Sequence, residues 1–137
     1  MAAYADKSKR DKRIRAGGVV FLLMVICVSC LGLYVRAEAT KAGGEWHSTL
    51  SENGNCSLKT YIRKYSNLGA LGRVFGLFGS QFYYRVYSKN GELQKTSEWN
   101  FWEDQLGADQ SAYWAEGVAF YPTADGLKGW DLQSCSR

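Results

Sequence analysis

The chain opens on a polar, basic stretch and then runs uncharged from residue 16 to residue 35 (AGGVVFLLMVICVSCLGLYV). Twenty residues of this kind are enough to cross a bilayer as one helix. Beyond residue 36 the pattern changes period. Segment 56–65 (CSLKTYIRKY) alternates, with Cys56, Leu58, Thr60 and Ile62 on one face and Ser57, Lys59, Tyr61, Arg63 and Tyr65 on the other. Segment 82–88 (FYYRVYS) sets Phe82, Tyr84 and Val86 against Tyr83, Arg85 and Tyr87 in the same way. A period of two marks a half-buried strand. Asn90-Gly91 comes next, followed by 92–99 (ELQKTSEW), and two strand-like runs around Asn-Gly predict a hairpin. Further strands are expected at 45–51, at 112–121 with Gly117 as a bulge, and at 128–134. Turns are expected at 52–55 and 122–126. Segment 100–111 (NFWEDQLGADQS) is acidic and irregular, and 36–44 reads as a short flexible linker of small residues.

These elements predict a mainly β chain. A basic tail (1–15) leads into a single transmembrane helix (16–35), and the linker (36–44) leads into a small antiparallel meander (45–137). The meander has about six strands, curled into a sandwich or partial barrel. With 137 residues in all, the part outside the span is large enough for one small core. That excludes a multidomain enzyme and a multi-pass transporter.

Charge settles which way the span points. Residues 1–15 carry six Lys/Arg against two Asp, while residues 36–137 carry eleven basic and eleven acidic residues. The net charge of +4 therefore belongs to the tail. Positive residues stay on the cytoplasmic side, so the expectation is a signal anchor with the C-terminal domain outside. Arg15 and Arg36 bracket the run and are placed to snorkel to its two interfaces. Ala37-Glu38-Ala39 has the small-x-small form of a signal-peptidase site, but the apolar run is longer than a typical signal core and Arg36 intervenes. A lipidated Cys30 would lie deep inside the apolar run and lacks the usual leucine before it. The anchor in a Gram-negative inner membrane, with a periplasmic domain, is the preferred reading.

Of four cysteines, Cys27 and Cys30 lie in the span, where they act as small apolar residues. Cys56 and Cys135 are the pair outside, and an oxidising compartment favours a disulfide between them. Closing so long a loop is worth roughly 4 kcal/mol in the chain-entropy account.

Candidate chemistry is sparse. His47 is the sole histidine, so neither a nucleophile–base pair nor a zinc cluster can be assembled around several imidazoles. No catalytic, metal or cofactor residues are expected, and no small-molecule substrate. The basic tail is explained by topology, so no nucleic-acid partner is expected either. Two segments look suited to contact another protein. The glycine-rich stretch 66–80 (SNLGALGRVFGLFGS) is either a crossover that packs its Leu and Phe under the sheet or an exposed apolar surface for a membrane or a protein groove. Its candidate contact residues are Leu71, Phe75 and Phe78. The second is an acidic, aromatic block formed by Trp99, Phe101, Trp102, Glu103 and Asp104, whose aromatics are of the type that anchors interfaces. It sits in an acidic half (90–137, three basic against eight acidic residues), opposite a basic half (36–89, eight against three).

The plan resembles that of small, disulfide-stapled periplasmic immunity proteins against bacteriocins and secreted toxins. That resemblance implies an inhibitor that occludes a basic active-site cleft of an envelope-acting toxin. The alternative is an accessory or assembly subunit of a larger envelope complex, and an envelope enzyme is the third reading.

Overall fold

The computed structural model describes residues 2–100 and 111–136. The chain separates into two units, Met1–Tyr34 and Val35–Arg137.

The first unit belongs to a helix, α1 (Ala2–Ala42). Its apolar stretch is long and apolar enough to span a membrane. From Val19 to Leu33 the large side chains are exposed.

The second unit begins with the last two turns of α1. The linker expected at 36–44 is therefore corrected. Residues 36–42 are helical, and Val35, Arg36 and Ala39 are buried. Ala37, Glu38, Ala39, Lys41 and Ala42 are good helix formers, and Gly43-Gly44 supplies the stop. Gly43 has a packing reason as well, since a Cβ there would overlap the Ile62 carbonyl oxygen. The Arg36 side chain is taken up by the domain, where it is buried.

Two antiparallel sheets follow. The first has the order β1-β2-β3-β4: β1 (Gly44–Leu50), β2 (Cys56–Ile62), β3 (Phe82–Ser88) and β4 (Leu93–Thr96). The second has the order β5-β6-β7: β5 (Tyr113–Ala115), β6 (Val118–Thr123) and β7 (Gly126–Asp131). Each is a meander, as expected. Between β2 and β3 lie a 3-10 turn (Tyr65–Leu68) and a short helix, α2 (Gly69–Gly76). A final turn, α3 (Gln133–Ser136), ends the chain's described part.

The alternating patterns land where the period predicts. Cys56, Leu58, Phe82, Tyr84 and Val86 form the inner face of the first sheet. They pack on Ala119 and Tyr121 of β6 and on Ala112, Leu132 and Cys135. Fully burying side chains such as Leu58 and Val86 contributes about 1.5–3 kcal/mol each. The rings of Tyr84 and Tyr121 meet at 5.2 Å between the sheets, and Tyr121 meets Trp130 at 4.4 Å. The Cys56–Cys135 disulfide closes this core, with a Cα–Cα distance of 5.4 Å. It ties β2 to the α3 turn rather than to a last strand.

Several strand boundaries differ from expectation: β2 stops at Ile62 and not at 65, β4 covers only Leu93–Thr96 of 92–99, and β7 is Gly126–Asp131 and not 128–134. Segment 112–121 is not one bulged strand. Glu116 and Gly117 both take positive φ (51° and 79°), so the chain reverses there and β5 pairs with β6 as a hairpin. That raises the strand count among the described residues to seven. Pro122 is not in a turn but pairs with Leu127 inside the β6–β7 ladder, and the reversal falls at Thr123–Gly126. Among the described residues, register shifts lie instead in β1, at Trp46 between Glu45 and His47, and in the β3–β4 pairing, where Gln94 is left over opposite Val86 and Tyr87.

Candidate functional site

The densest polar chemistry lies on the outer face of the first sheet, where residues 36–44 cross it. Tyr61 and Tyr83 are register partners on β2 and β3, and their rings stack at 5.1 Å and 12°. The Arg85 guanidinium lies 5.2 Å from both ring centres, and that of Arg63 lies 4.6 Å from Tyr83. Contacts of this kind contribute about 0.5–2 kcal/mol each, more where water is excluded.

Arg63 is nearly fully buried. It donates from Nε to Thr40 Oγ1 (3.1 Å), and from Nη1 to the Ser80 carbonyl (2.9 Å), Ser80 Oγ (2.8 Å) and the Phe82 carbonyl (3.2 Å). Its Nη2 donates to the Glu98 carbonyl at 2.7 Å. Arg36 donates to that same carbonyl from Nε (3.1 Å) and Nη2 (2.6 Å). Two guanidiniums thus converge on one backbone oxygen. Burial, helped by the charge of Arg36, lowers the Arg63 pKa to about 10, which leaves it charged at neutral pH. The Glu98 carboxylate turns to Arg85 instead, with Oε2 2.6 Å from Nη2. Desolvation works against the Arg85 charge, but its hydrogen bonds to Glu98 and Tyr87 outweigh it, so its pKa rises. Burial pushes Tyr61 and Tyr83 upward, and Tyr84 to about 12, so all three stay neutral phenols.

Beside this cluster is an open groove of about 400 Å³. Tyr61, Tyr83 and Arg85 form its floor, the end of α1 with Thr40 and Lys41 forms one wall, and Glu98 and Trp99 form the other. The Arg85 Nε is buried without a partner, close to this floor. The groove holds aromatic faces, a cation and hydroxyls, which suits binding a polar or aromatic chain segment.

The expected site residues scatter. Trp99 is half exposed and borders the groove. Phe101, Trp102, Glu103 and Asp104 lie outside the described residues. Leu71, Phe75 and Phe78 lie on α2 and the turn after it, where Leu71 and Phe78 are exposed and Phe75 is half-buried. His47 is exposed on β1, and no group of metal-ligating side chains occurs among the described residues. Cys27 and Cys30 are exposed free thiols on the apolar stretch. The two oppositely charged halves meet in the Arg85–Glu98 pair, whereas Lys59–Glu45 (2.8 Å) and Lys41–Glu38 (2.7 Å) lie within the basic half.

Sequence reasoning passed over Arg36, Tyr61, Arg63, Tyr83, Arg85 and Glu98. The signal was the register of β2 against β3, which sets Tyr61 opposite Tyr83 and Lys59 opposite Arg85. A segment of nineteen residues separates those strands, so no hairpin rule aligns them. No family model, no curated protein and no solved structure matches this chain.

Proposed function

We propose that this chain is a non-catalytic, membrane-anchored protein whose extracytoplasmic β domain binds another protein of the cell envelope. The apolar helix supports the anchor, and the disulfide supports an oxidising compartment outside the cytoplasm. The basic tail supports a cytoplasmic N-terminus, with the domain in the periplasm of a Gram-negative inner membrane.

Between an immunity-type inhibitor and an accessory or assembly subunit, one observation favours the subunit. Residues 35–39, where the apolar run ends, are built into the domain, with Val35, Arg36 and Ala39 buried. α1 ends at Ala42 and β1 begins at Gly44, so the segment between them is short. An inhibitor that must catch a soluble toxin gains reach from a flexible tether. A subunit that meets a neighbour in the same membrane gains from a fixed surface, because less ordering entropy is lost on binding. The groove bordered by Trp99 and floored by Tyr61, Tyr83 and Arg85 is the surface this reading assigns to the partner.

The test is co-purification of the full chain in mild detergent after cross-linking in cells, repeated with a flexible linker of about ten Gly/Ser residues inserted between Tyr34 and Val35. The subunit reading expects the partner to be lost with the linker, and Trp99→Ala to weaken capture about tenfold. Full capture through the linker would replace it with the inhibitor. Absence of any partner from both forms would count against protein binding altogether.

A further inference from the structure

The glycine-rich segment carries a surface that the groove does not use. Its glycines are a packing device. On α2 and just after it, Gly72, Gly76 and Gly79 all face Tyr65. A Cβ on Gly72 would overlap the Tyr65 carbonyl oxygen, one on Gly79 would come within 2.6 Å of Tyr65 Oη, and one on Gly76 within 3.3 Å of Tyr65 Cβ. This stripe lets α2 lie flat on Tyr65. Tyr65, Phe75 and Leu68 in turn pack on Val35 and Ala39 of α1. Apart from Leu68 and Phe75, the apolar side chains of this segment face out. Leu71 and Val74 are half exposed, and Leu77 and Phe78 are 81% and 83% exposed.

Where this surface lies follows from what it packs on. Val35 is the last residue of the uncharged run, and Ala39 lies one turn later, about 6 Å along the helix axis. An interfacial helix buries its apolar face about 5–10 Å into the boundary between headgroups and acyl chains. α2 and Tyr65 therefore pack on residues that directly follow the apolar run in the chain. Charge agrees. From Lys64 to Ser80 the only charged residues are Lys64 and Arg73, both basic and both exposed. Arg73 projects from the outward side of α2, where a long cationic side chain can snorkel back to phosphates.

We propose that α2 and the turn after it form a membrane-docking surface, in which Leu71, Val74, Leu77 and Phe78 insert into the outer leaflet of the bilayer that α1 crosses, while Lys64 and Arg73 engage anionic phospholipid headgroups. This rests on α1 spanning the membrane and is independent of which protein the groove binds.

The test uses the full chain in nanodiscs of phosphatidylcholine and phosphatidylglycerol, with an environment-sensitive fluorophore on single cysteines. In a C27A/C30A background, Phe78→Cys and Lys89→Cys each place a label on an exposed side chain, so folding is not at stake. Native Cys27, in a C30A background, reports the span itself. Lipids carrying a quencher near the top of the acyl chain are expected to remove most of the emission at positions 27 and 78 and little at position 89. Replacing phosphatidylglycerol by phosphatidylcholine is expected to weaken quenching at 78 and leave 27 unchanged. Quenching at 27 with position 78 as wet as 89 overturns the proposal. A blue shift at 78 without lipid quenching also overturns it, and points to a second protein as the occupant. No quenching at 27 removes the spanning premise, and the proposal with it.

Discussion

At Arg63, one side chain gathers four stretches of chain. Its five hydrogen bonds end on Thr40, Ser80, Phe82 and Glu98, and every acceptor is a carbonyl or a hydroxyl. A planar fork with donors on three sides can do this, whereas an ammonium on a flexible stem cannot reach Thr40 and Glu98 together. Arg63→Ala should therefore leave several buried oxygens unpaired and cost about 3 kcal/mol or more. Arg63→Lys should recover little of it. Urea unfolding of the full chain in detergent, followed by tryptophan fluorescence, checks this. A loss below about 1 kcal/mol for the lysine variant would mean that charge, not geometry, is what the site needs. The alternation placed Arg63 on a strand running to residue 65 and treated its face as wet, whereas β2 ends at Ile62 and Arg63, just beyond it, is buried. Its cover comes from residues 36–44, where a stretch of small residues reads as a linker and its helix-forming composition is easy to discount.

Among elements, those with a clear period were legible. Cys56, Leu58, Phe82, Tyr84 and Val86 sit on the buried face as alternation demands, because a sheet with one wet face leaves a strand no other register. The Asn90-Gly91 hairpin is likewise where local rules put it, with Gly91 at φ 82°. The β5–β6 hairpin was not legible, since Glu116-Gly117 is not a pair that turn statistics favour, and Glu116 adopts a positive φ of 51° that side chains seldom take. The glycine-rich segment left two readings open because spacing alone does not say which side of a helix is covered. The structure answers through Tyr65, and that answer has a consequence for substitution. Gly72→Ala should be the costly change on α2, about 1–3 kcal/mol, because its Cβ would meet backbone that cannot swing aside. Gly76→Ala, with 3.3 Å to the Tyr65 Cβ, should cost clearly less. Thermal unfolding of the two variants in the same detergent decides it. Equal losses would mean that helix propensity, which favours alanine at both, is outweighed by something other than contact with Tyr65.

For the whole molecule, the disulfide and the helix end constrain the domain from opposite ends of its sequence. The Cys56–Cys135 bond spans 79 residues and removes loop entropy from the unfolded chain, worth about 4 kcal/mol. Val35 and Arg36 act on the folded side, the first by burial under Tyr65 and the second through its bonds to Glu98. A domain cut at residue 37, where a linker reading would cut it, loses both. Burial of a valine and the two Arg36 hydrogen bonds to the Glu98 carbonyl together come to about 3 kcal/mol. A fragment covering 35–137 should therefore unfold at a distinctly higher denaturant concentration than one covering 37–137, with the same denaturant slope. Reduction should lower both by a similar amount, because the two effects act on different states of the chain and on residues that share no partner. If the two fragments unfold together, the helix end is only laid against the domain, and the argument that favours a fixed subunit over a tethered inhibitor loses its basis. If they separate as expected, the boundary of the folding unit lies inside the apolar run's last turn, and the anchor and the domain cannot be exchanged as independent parts.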